Sequence, residues 1–176
     1  MFIELREEGH MRIEQLTTTS SECESVSLGG IGVVFTIPGE TTGGAFSIVE
    51  HPVKPGTLVP PHVHSREDEL SYVVEGEFGA RVGDQILHAG PGEYLFKPRN
   101  VPHTFWNAGP APARLVEIIW PAGFERYFTE MAQLFPEQGP PDMGAVVELM
   151  ARYGLTPIPD WIPELSERFG LTVLGF

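Results

Sequence analysis

Short apolar segments separated by Gly and Pro are the feature that most constrains the fold of this 176-residue chain. Its 20 Gly and 17 Pro lie mostly between Gly29 and Gly123, at a density below that of low-complexity sequences. The segments between them are rich in β-branched and aromatic residues, which is typical of strands joined by tight turns. The predicted strands are Ile31–Ile37, Ala45–Glu50, Leu70–Glu75, Glu77–Val82, Glu93–Lys97, Thr104–Trp106 and Arg114–Trp120. This spacing favours a mainly β domain, either a sandwich or a barrel.

The segments on either side of this region have a different character. Residues 1–27 are polar and acidic, which predicts a mobile arm that can add one edge strand, with Met11 as an alternative start. After Trp120 the apolar residues recur at intervals of three and four residues, which is the spacing of one face of an amphipathic helix. The three predicted helical stripes are Phe124, Tyr127, Phe128, Met131 and Leu134; Val146, Val147, Leu149 and Met150; and Ile162, Leu165 and Phe169.

Capping residues bound the second and third stripes. Asp142 and Asp160 are expected near their starts, and Gly154 and Gly170 near their ends. The sequence therefore predicts three parts: the arm (1–27), a β-barrel (28–121) and a helical extension (122–176). We expect this amphipathic extension to pack on the barrel or on another subunit.

The spacing of His62 and His64 indicates a metal site. On an extended strand, the side chains of residues two positions apart point to the same face. Two neutral imidazoles on one face can supply half of the ligands of a divalent transition metal. Glu69 follows at an odd offset, so the chain must turn or bulge over residues 65–68 before the carboxylate can return to that face. His103, from a separate strand, is the expected fourth ligand.

These residues resemble the two sequence motifs of the cupins. The first motif, G-x5-H-x-H-x3-4-E-x6-G, is matched by Gly56, His62, His64, Glu69 and Gly76. The second, G-x5-P-x-G-x2-H-x3-N, is matched by Gly92, Pro98, His103 and Asn107. Asn100 stands where that motif has its internal Gly, and Asn tolerates the left-handed backbone that the turn needs.

The resemblance covers about residues 31–120. It implies a cupin barrel, that is, an antiparallel double-stranded β-helix or jelly roll, that holds one divalent metal through His62, His64, Glu69 and His103. The metal would be Fe, Mn, Ni, Co, Cu or Zn, since this ligand set suits all of them. The other histidines, His10, His51 and His88, and the lone Cys23 are interpreted as bystanders.

Strand alternation suggests the wall of a ligand pocket next to the metal. Ser71 and Val73 share the face of Glu69, and Phe105 and Asn107 share that of His103. Further wall candidates are Phe46, Ile48 and Phe96, with Tyr94, Trp106 and Trp120 as wall or interface residues. An aromatic pocket with few charges favours a planar, apolar ligand. For each aromatic residue, ordinary core packing remains the alternative.

The layout is similar to that of small, single-barrel cupins of the quercetin-dioxygenase type. That similarity implies a metal-dependent oxygenase acting on a flavonol, phenolic or enolisable compound, with Glu69 as metal ligand, general base or both. Two alternatives stay open, because one cupin site serves many reactions. One is a non-oxidative isomerase or decarboxylase, and the other is a sensor that binds a small molecule without catalysis.

Composition excludes several partners and locations. Acidic residues outnumber basic ones 24 to 11, and the net charge of −13 argues against binding nucleic acid or an anionic membrane. One cysteine cannot form an intrachain disulfide, and no apolar run approaches the roughly 18 residues of a membrane span. The sequence therefore predicts a cytoplasmic protein. Exposed strand edges and an apolar tail favour a homodimer.

Overall fold

The computed structural model describes residues 3–5, 11–13, 17–135 and 141–173. Within them the strands are β1 (Ile3–Leu5), β2 (Met11–Ile13), β3 (Ser25–Ser27), β4 (Gly32–Ile37), β5 (Ser47–Val53), β6 (Thr57–Leu58), β7 (His62–His64), β8 (Asp68–Glu75), β9 (Phe78–Val82), β10 (Gln85–Ala89), β11 (Tyr94–Lys97), β12 (His103–Asn107), β13 (Ala113–Trp120), β14 (Leu155–Pro157) and β15 (Thr172–Val173). The helices are α1 (Glu125–Gln133), α2 (Met143–Arg152) and α3 (Ile162–Phe169). Short 3₁₀ turns cover Ser20–Glu22, Gly39–Thr42 and Pro159–Trp161.

Two sheets with mostly antiparallel pairing form a jelly roll. One has the strand order β11-β8-β13-β5-β4-β3. The other follows β10-β9-β12-β6-β15, with β7 paired to β12 and β14. The described strands form no closed barrel, but the expectation of a mainly β, cupin-type fold with a helical extension is confirmed. β1 and β2 pair with each other, and β3 extends the six-stranded sheet at its edge.

Alternation along the central strands decides which side chains enter the space between the sheets. In β5, β8 and β13 every second residue is buried, as expected where one face of a sheet packs on a core. Neighbours on that inner face follow from the register: Glu69 lies opposite Ile119, and Ile119 lies opposite Ser47. Both sheets contribute to the core, which includes Val49, Val73, Leu115, Phe78 and Ala80. Each such Val or Leu stabilises the fold by about 1.5–3 kcal/mol.

All seven predicted strands are present, with ends shifted by up to three residues. The strand β10 had not been predicted, because Ile86 is the only β-branched residue in Gln85–Ala89. It pairs with β9 through the tight connection at Gly83 and Asp84.

The helical extension follows the three predicted stripes. Asp142 caps α2, since its Oδ1 accepts hydrogen bonds from the backbone N–H groups of Gly144 and Ala145 at 2.9 and 3.3 Å. Asp160 does not cap α3, contrary to the prediction. It lies inside the 3₁₀ turn before that helix, and Trp161 is the cap residue. No helix in the described ranges is long and apolar enough to cross a membrane.

The extension also joins the sheet that carries two of the predicted metal ligands. β14 pairs antiparallel with β7, with Leu155 opposite His64 and Pro157 opposite His62. The amide of Ser65 donates to the carbonyl of Gly154 at 3.0 Å, which continues this pairing into the next turn. The C-terminal segment therefore fixes the strand on which the site depends.

We predict that Gly79→Ala destabilises the fold. Gly79 on β9 lies opposite Trp106 on β12, and an added Cβ would lie 2.2 Å from Cε2 of that indole. Trp106 is 1% exposed, so it has no room to yield. The free energy of unfolding should fall by about 1–3 kcal/mol or more, as measured by urea denaturation.

Gly90→Ala is the matched control for this prediction. A Cβ at residue 90 has its nearest neighbour, Glu93 Oε2, at 3.7 Å, which is ordinary contact. That variant should stay within about 0.5 kcal/mol of the wild type. Equal stability of the two variants would contradict the packing described here.

Candidate metal centre

Three strands and one turn bring the predicted ligands together. His62 and His64 lie on β7, His103 on β12 opposite His62, and Glu69 near the start of β8. Residues 65–67 form the turn that the odd offset requires, and β8 begins at Asp68. His62 is half-buried, whereas the other three side chains are buried.

The turn before His103 depends on the predicted backbone conformation of Asn100. This residue has a φ of 62°, in the left-handed region, as expected for an Asn in place of Gly. Its backbone N–H donates to the carbonyl of His64 at 2.7 Å. The turn therefore contacts the strand that carries the first two ligands.

The ligating atoms converge on one point. His62 Nε2 lies 3.2 Å from His64 Nε2, which lies 3.2 Å from Glu69 Oε1. His103 Nε2 lies 3.3 Å from Glu69 Oε2. One ligand atom from each of the four residues lies within 4.8 Å of the others. Three imidazoles and one carboxylate are a donor set for a divalent transition metal.

The Nδ1 atom of each imidazole lies within hydrogen-bond distance of an oxygen atom outside the centre. His62 Nδ1 lies 2.7 Å from the carbonyl oxygen of Pro60, and His103 Nδ1 lies 3.0 Å from that of Val101. His64 Nδ1 lies 3.3 Å from Glu67 Oε2. Because these oxygens only accept, each Nδ1 carries the hydrogen, and in the neutral ring Nε2 then presents its lone pair to the centre.

This arrangement fits a bound cation. The Nε2 atoms of His62 and His64, 3.2 Å apart, need a proton or a metal ion between them, because two facing lone pairs repel each other. His103 Nε2 is buried without a hydrogen bond, which is costly for a polar atom. A divalent metal held by His62, His64, Glu69 and His103 would satisfy all four groups at once.

In the absence of metal, the histidines differ in basicity. Burial opposes the charged form of His64, but Glu69 and Glu67 outweigh it and raise its pKa to about 9. Burial, reinforced by the neighbouring histidines, holds the pKa of His62 well below its usual value. Burial also lowers the pKa of His103, against the attraction of Glu69. In the metal-free centre, His64 is therefore the imidazole that carries a hydrogen on both nitrogens and is positively charged.

A buried lysine connects this centre to a second carboxylate. Lys97 Nζ lies 3.1 Å from Glu69 Oε2 and 2.7 Å from Glu117 Oε2. The hydroxyl of Ser71 lies 3.1 and 3.2 Å from the two oxygens of Glu117. Burial raises the pKa of Glu69, but Lys97 and His64 outweigh it and hold it well below its usual range. Burial, opposed by Lys97, raises the pKa of Glu117 to about 7.

A cavity of about 530 Å³ opens from this centre between the sheets and the helical extension. Its polar lining groups among the described residues are His51, His62, His64, Glu69, Glu117 and the hydroxyl of Tyr127. The remaining wall is apolar, and much of it comes from the extension. The aromatic and methionine residues that line it from α1, α2 and the residue before α1 are Phe124, Tyr127, Phe128, Met131, Met143 and Met150. The ring of Phe124 also meets that of His64 edge-on at 4.4 Å.

Of the seven predicted pocket residues, only Phe105 lines this cavity. Ser71 and Val73 have the predicted inward orientation, but Ser71 bonds Glu117 and Val73 belongs to the core. Asn107 is buried, and its amide donates to the carbonyls of Val53 and Ala111. It therefore ties two chain segments together.

The other three predicted pocket residues lie outside the cavity wall. Phe46 precedes β5 and is exposed, and Ile48 and Phe96 alternate with the buried positions of β5 and β11. The side chains of Ile48 and Phe96 therefore point to the outer face of the sheet. There Phe96 stacks on Trp120, with ring centroids 6.0 Å apart.

Three polar residues of the site had not been predicted, namely His51, Lys97 and Glu117. Each alternates with buried apolar residues of its strand: Val49 and Val53 in β5, Leu95 in β11, and Leu115 and Ile119 in β13. A charged or titratable side chain at an inward position was the available sequence signal. No charged or titratable residue in the sequence of the helices indicated that they form the apolar wall of the cavity.

Comparison with known proteins found one matching protein family and several similar proteins. Residues 50–119 match the protein family described as the cupin domain. The chain is similar to "Germin-like protein subfamily T member 2" of Arabidopsis thaliana, with 35% identity over 47% of this chain and 40% of that protein. It is also similar to "Tetracenomycin polyketide synthase protein TcmJ" of Streptomyces glaucescens, with 34% identity over 46% of this chain and 52% of that protein.

A more distant relative is the quercetin 2,3-dioxygenase of Bacillus subtilis, with 26% identity over 51% of this chain and 26% of that protein. The chain thus spans about half or less of the length of these curated relatives. The polyketide cyclase RemF of Streptomyces resistomycificus has a similar structure, with a TM-score of 0.52, 27% identity, and coverage of 60% of this chain and 78% of that chain.

A second solved structure supports the fold alone. An RmlC-like cupin from Shewanella frigidimarina has a TM-score of 0.55 at 23% identity, over 64% of this chain and 96% of that chain. The family match covers the central part of the jelly roll, and the two solved structures share its fold.

We predict that His103→Ala removes most of the metal-binding capacity. The substitution deletes one of four ligands and leaves Glu69 with one fewer partner, so metal affinity should fall at least about 100-fold. The measurement is metal content after expression in metal-supplemented medium and dialysis. His88→Ala, at an exposed position of β10, is the control and should retain the metal. Unchanged metal content in His103→Ala would exclude this residue as a ligand.

We also predict that metal affinity rises with pH up to about 9. Because the pKa of His64 is raised to about 9 without metal, binding below that pH must displace its proton. Zinc affinity, measured by chelator competition, should therefore increase about tenfold per pH unit from 7 toward 9 and then level off. In Glu67→Gln, which removes one of the carboxylates that raise this pKa, the affinity should level off at a lower pH. A flat profile in the wild type would contradict the protonated His64.

Proposed function

We propose that this protein is a metal-dependent enzyme that acts on a planar phenolic or enolisable compound, with dioxygenation of a flavonol-like substrate as the leading reaction. The observation that carries the proposal is a large apolar cavity with a four-ligand metal centre in its wall. Such a cavity suits a flat, apolar ligand that presents one pair of oxygen atoms to a metal.

The charge of the cavity lining supports this ligand class. No Lys or Arg lines the cavity in the part of the chain that the structure describes, so an anionic sugar or keto acid would find no side-chain counter-charge besides the metal. Aromatic rings line the cavity, with Phe124 before α1 edge-on to the ring of His64 and Phe105 on β12 next to His51 and Lys97. Planar rings pack well against such side chains.

In the proposed reaction, the metal and the carboxylates of the protein have different roles. A divalent metal bound there would act as a Lewis acid toward an enolate or phenolate oxygen, and a redox-active one would also support oxygen chemistry. Glu69 is a weak proton acceptor because its pKa is held well below its usual range, so we assign it the role of ligand rather than base. Glu117 lines the same cavity with a pKa of about 7, which suits a group that accepts a substrate proton.

A second candidate is a non-oxidative ring closure of a polyketide. The names of two similar proteins, a polyketide synthase protein and a polyketide cyclase, favour it. Polyketides are also enolisable and become planar on cyclisation, so the same cavity would suit them. The two candidates differ in whether dioxygen is consumed.

The deciding experiment is oxygen uptake by the metal-free protein after separate loading with Fe, Mn, Co, Ni, Cu and Zn. With 3-hydroxyflavone or quercetin as substrate, we expect uptake in proportion to substrate loss with a redox-active metal and none with Zn. Conversion of a polyketide-like substrate without dioxygen would favour the second candidate. Tight binding without any turnover would instead indicate a sensor.

Two variants separate the roles of the residues in this assay. His103→Ala should lose uptake together with its metal. Glu117→Gln should keep the metal but lose at least about tenfold in turnover, since it removes the proposed proton acceptor. Full turnover by Glu117→Gln would exclude that role.

A further inference from the structure

His51 is a buried polar residue that neither the metal centre nor the fold accounts for completely. It lies on the inner face of β5, is 3% exposed and lines the cavity. It is separate from the four metal ligands and from the Lys97–Glu117 pair. Its strand is two places away from β8, which carries Glu69, with β13 between them.

One hydrogen bond determines which nitrogen of His51 is free. Nδ1 lies 2.9 Å from the carbonyl oxygen of Gly32 on β4. A carbonyl only accepts, so Nδ1 carries the hydrogen and donates it. In the neutral ring Nε2 is then an acceptor, and it points away from the β4 backbone because the two ring nitrogens diverge.

The imidazole is neutral and its orientation is fixed. Burial lowers its pKa to about 4, against the smaller effect of the Gly32 bond. The ring packs edge-on to Phe128 with centroids 5.4 Å apart and tilted to Phe105 at 6.3 Å. The hydrogen bonds of the described residues use only Nδ1 of His51, and Nε2 is not one of the fully buried polar atoms that lack a partner. Since the residue lines the cavity, Nε2 is an acceptor that a ligand in the cavity can reach.

We propose that His51 is a specificity-determining residue whose Nε2 accepts a hydrogen bond from a hydroxyl group at the end of the ligand remote from the metal centre. The proposal rests on the proposed function only for the assumption that the cavity binds a phenolic ligand. It assigns to this cavity a second polar subsite.

Strand register supports two separated subsites. Along the inner face, Glu69 on β8, Glu117 on β13 and His51 on β5 form a diagonal, since Ile119 pairs with Glu69, Val49 with Glu117 and Leu115 with His51. Each step crosses one strand and advances two residues. In an untwisted sheet the backbone of His51 would therefore be displaced from that of Glu69 by about 13 Å along the strands and about 10 Å across them. The side chains lie closer than this, because the His51 and Phe105 ring centroids are 6.3 Å apart and Lys97 Nζ lies 4.9 Å from the Phe105 centroid and 3.1 Å from Glu69 Oε2.

This separation suits the length of a ligand with several fused or linked rings. One end would reach the metal centre, and a hydroxyl at the other end would reach His51. The ring faces would lie against the apolar walls between them.

The test compares binding of two probe pairs to zinc-loaded protein by calorimetry. The first pair is 3,4′-dihydroxyflavone and 3-hydroxy-4′-methoxyflavone, which share one chelating end and differ in the distal donor. The second pair is 2-naphthol and 2-methoxynaphthalene, which need no chelation. In the wild type, the hydroxyl compound of each pair should bind about tenfold more tightly.

Two substitutions separate hydrogen bonding from packing. His51→Asn keeps a donor for the Gly32 carbonyl but has no acceptor at the position of Nε2, so the preference for the hydroxyl compound should disappear while affinity for the methoxy compound stays within about twofold. His51→Gln can present an oxygen near that position and should retain part of the preference. Zinc content and the urea unfolding midpoint check that each variant is folded.

A spectroscopic readout on the wild type avoids any dependence on the variants. The ¹⁵N resonance of His51 Nε2 should move on addition of 2-naphthol and not on addition of 2-methoxynaphthalene. Equal binding of both members of each pair by the wild type, or an undiminished preference in His51→Asn, would overturn the subsite. Absence of flavonol turnover with an intact naphthol preference would overturn the proposed function and leave the subsite supported.

Discussion

The buried ammonium group of Lys97 is the interaction on which the rest of the site depends. It lies between the carboxylates of Glu69 and Glu117 and is 1% exposed, so it supplies their counter-charge where water cannot. Two carboxylates buried without a cation would be costly, and one of them would take up a proton. Protonated Glu69 would be a poor metal ligand. The lysine therefore keeps this ligand ionised before any metal binds.

The six-stranded sheet and the C-terminal extension contribute different parts of the site. Backbone register fixes the polar groups on the inner face of the sheet, because a shift by one residue would turn all of them outward. The extension supplies most of the apolar wall through α1 and α2, and β14 holds β7 in place. Polar chemistry thus belongs to the jelly roll, whereas the shape of the cavity depends on the helices.

The sequence predicted the metal ligands better than the pocket for a physical reason. Ligand spacing is local, and His62, His64 and Glu69 lie within one short segment around a single turn. Which face of a strand points inward is not local, because it depends on pairing with distant strands. Phe46, Ile48 and Phe96 were therefore expected in the pocket wall, although the inward positions of their strands hold His51 and Lys97. The helical wall was unpredictable because amphipathic stripes do not specify which surface they cover.

The apolar character of the cavity decides what the site can discriminate. An apolar wall separates ligands by shape with modest selectivity, since one methylene is worth only about 1–3 kcal/mol. A buried polar group is more selective, because a ligand that lacks its partner leaves that group unsatisfied. Among the described residues of the cavity wall, imidazole and carboxylate groups occur only along the diagonal from Glu69 through Glu117 to His51 and at His62 and His64, and the one further polar side-chain group is the Tyr127 hydroxyl on α1. Changes in the helices can therefore alter the size of the ligand that fits, while the positions of its oxygen atoms stay set by the register of β5, β8 and β13.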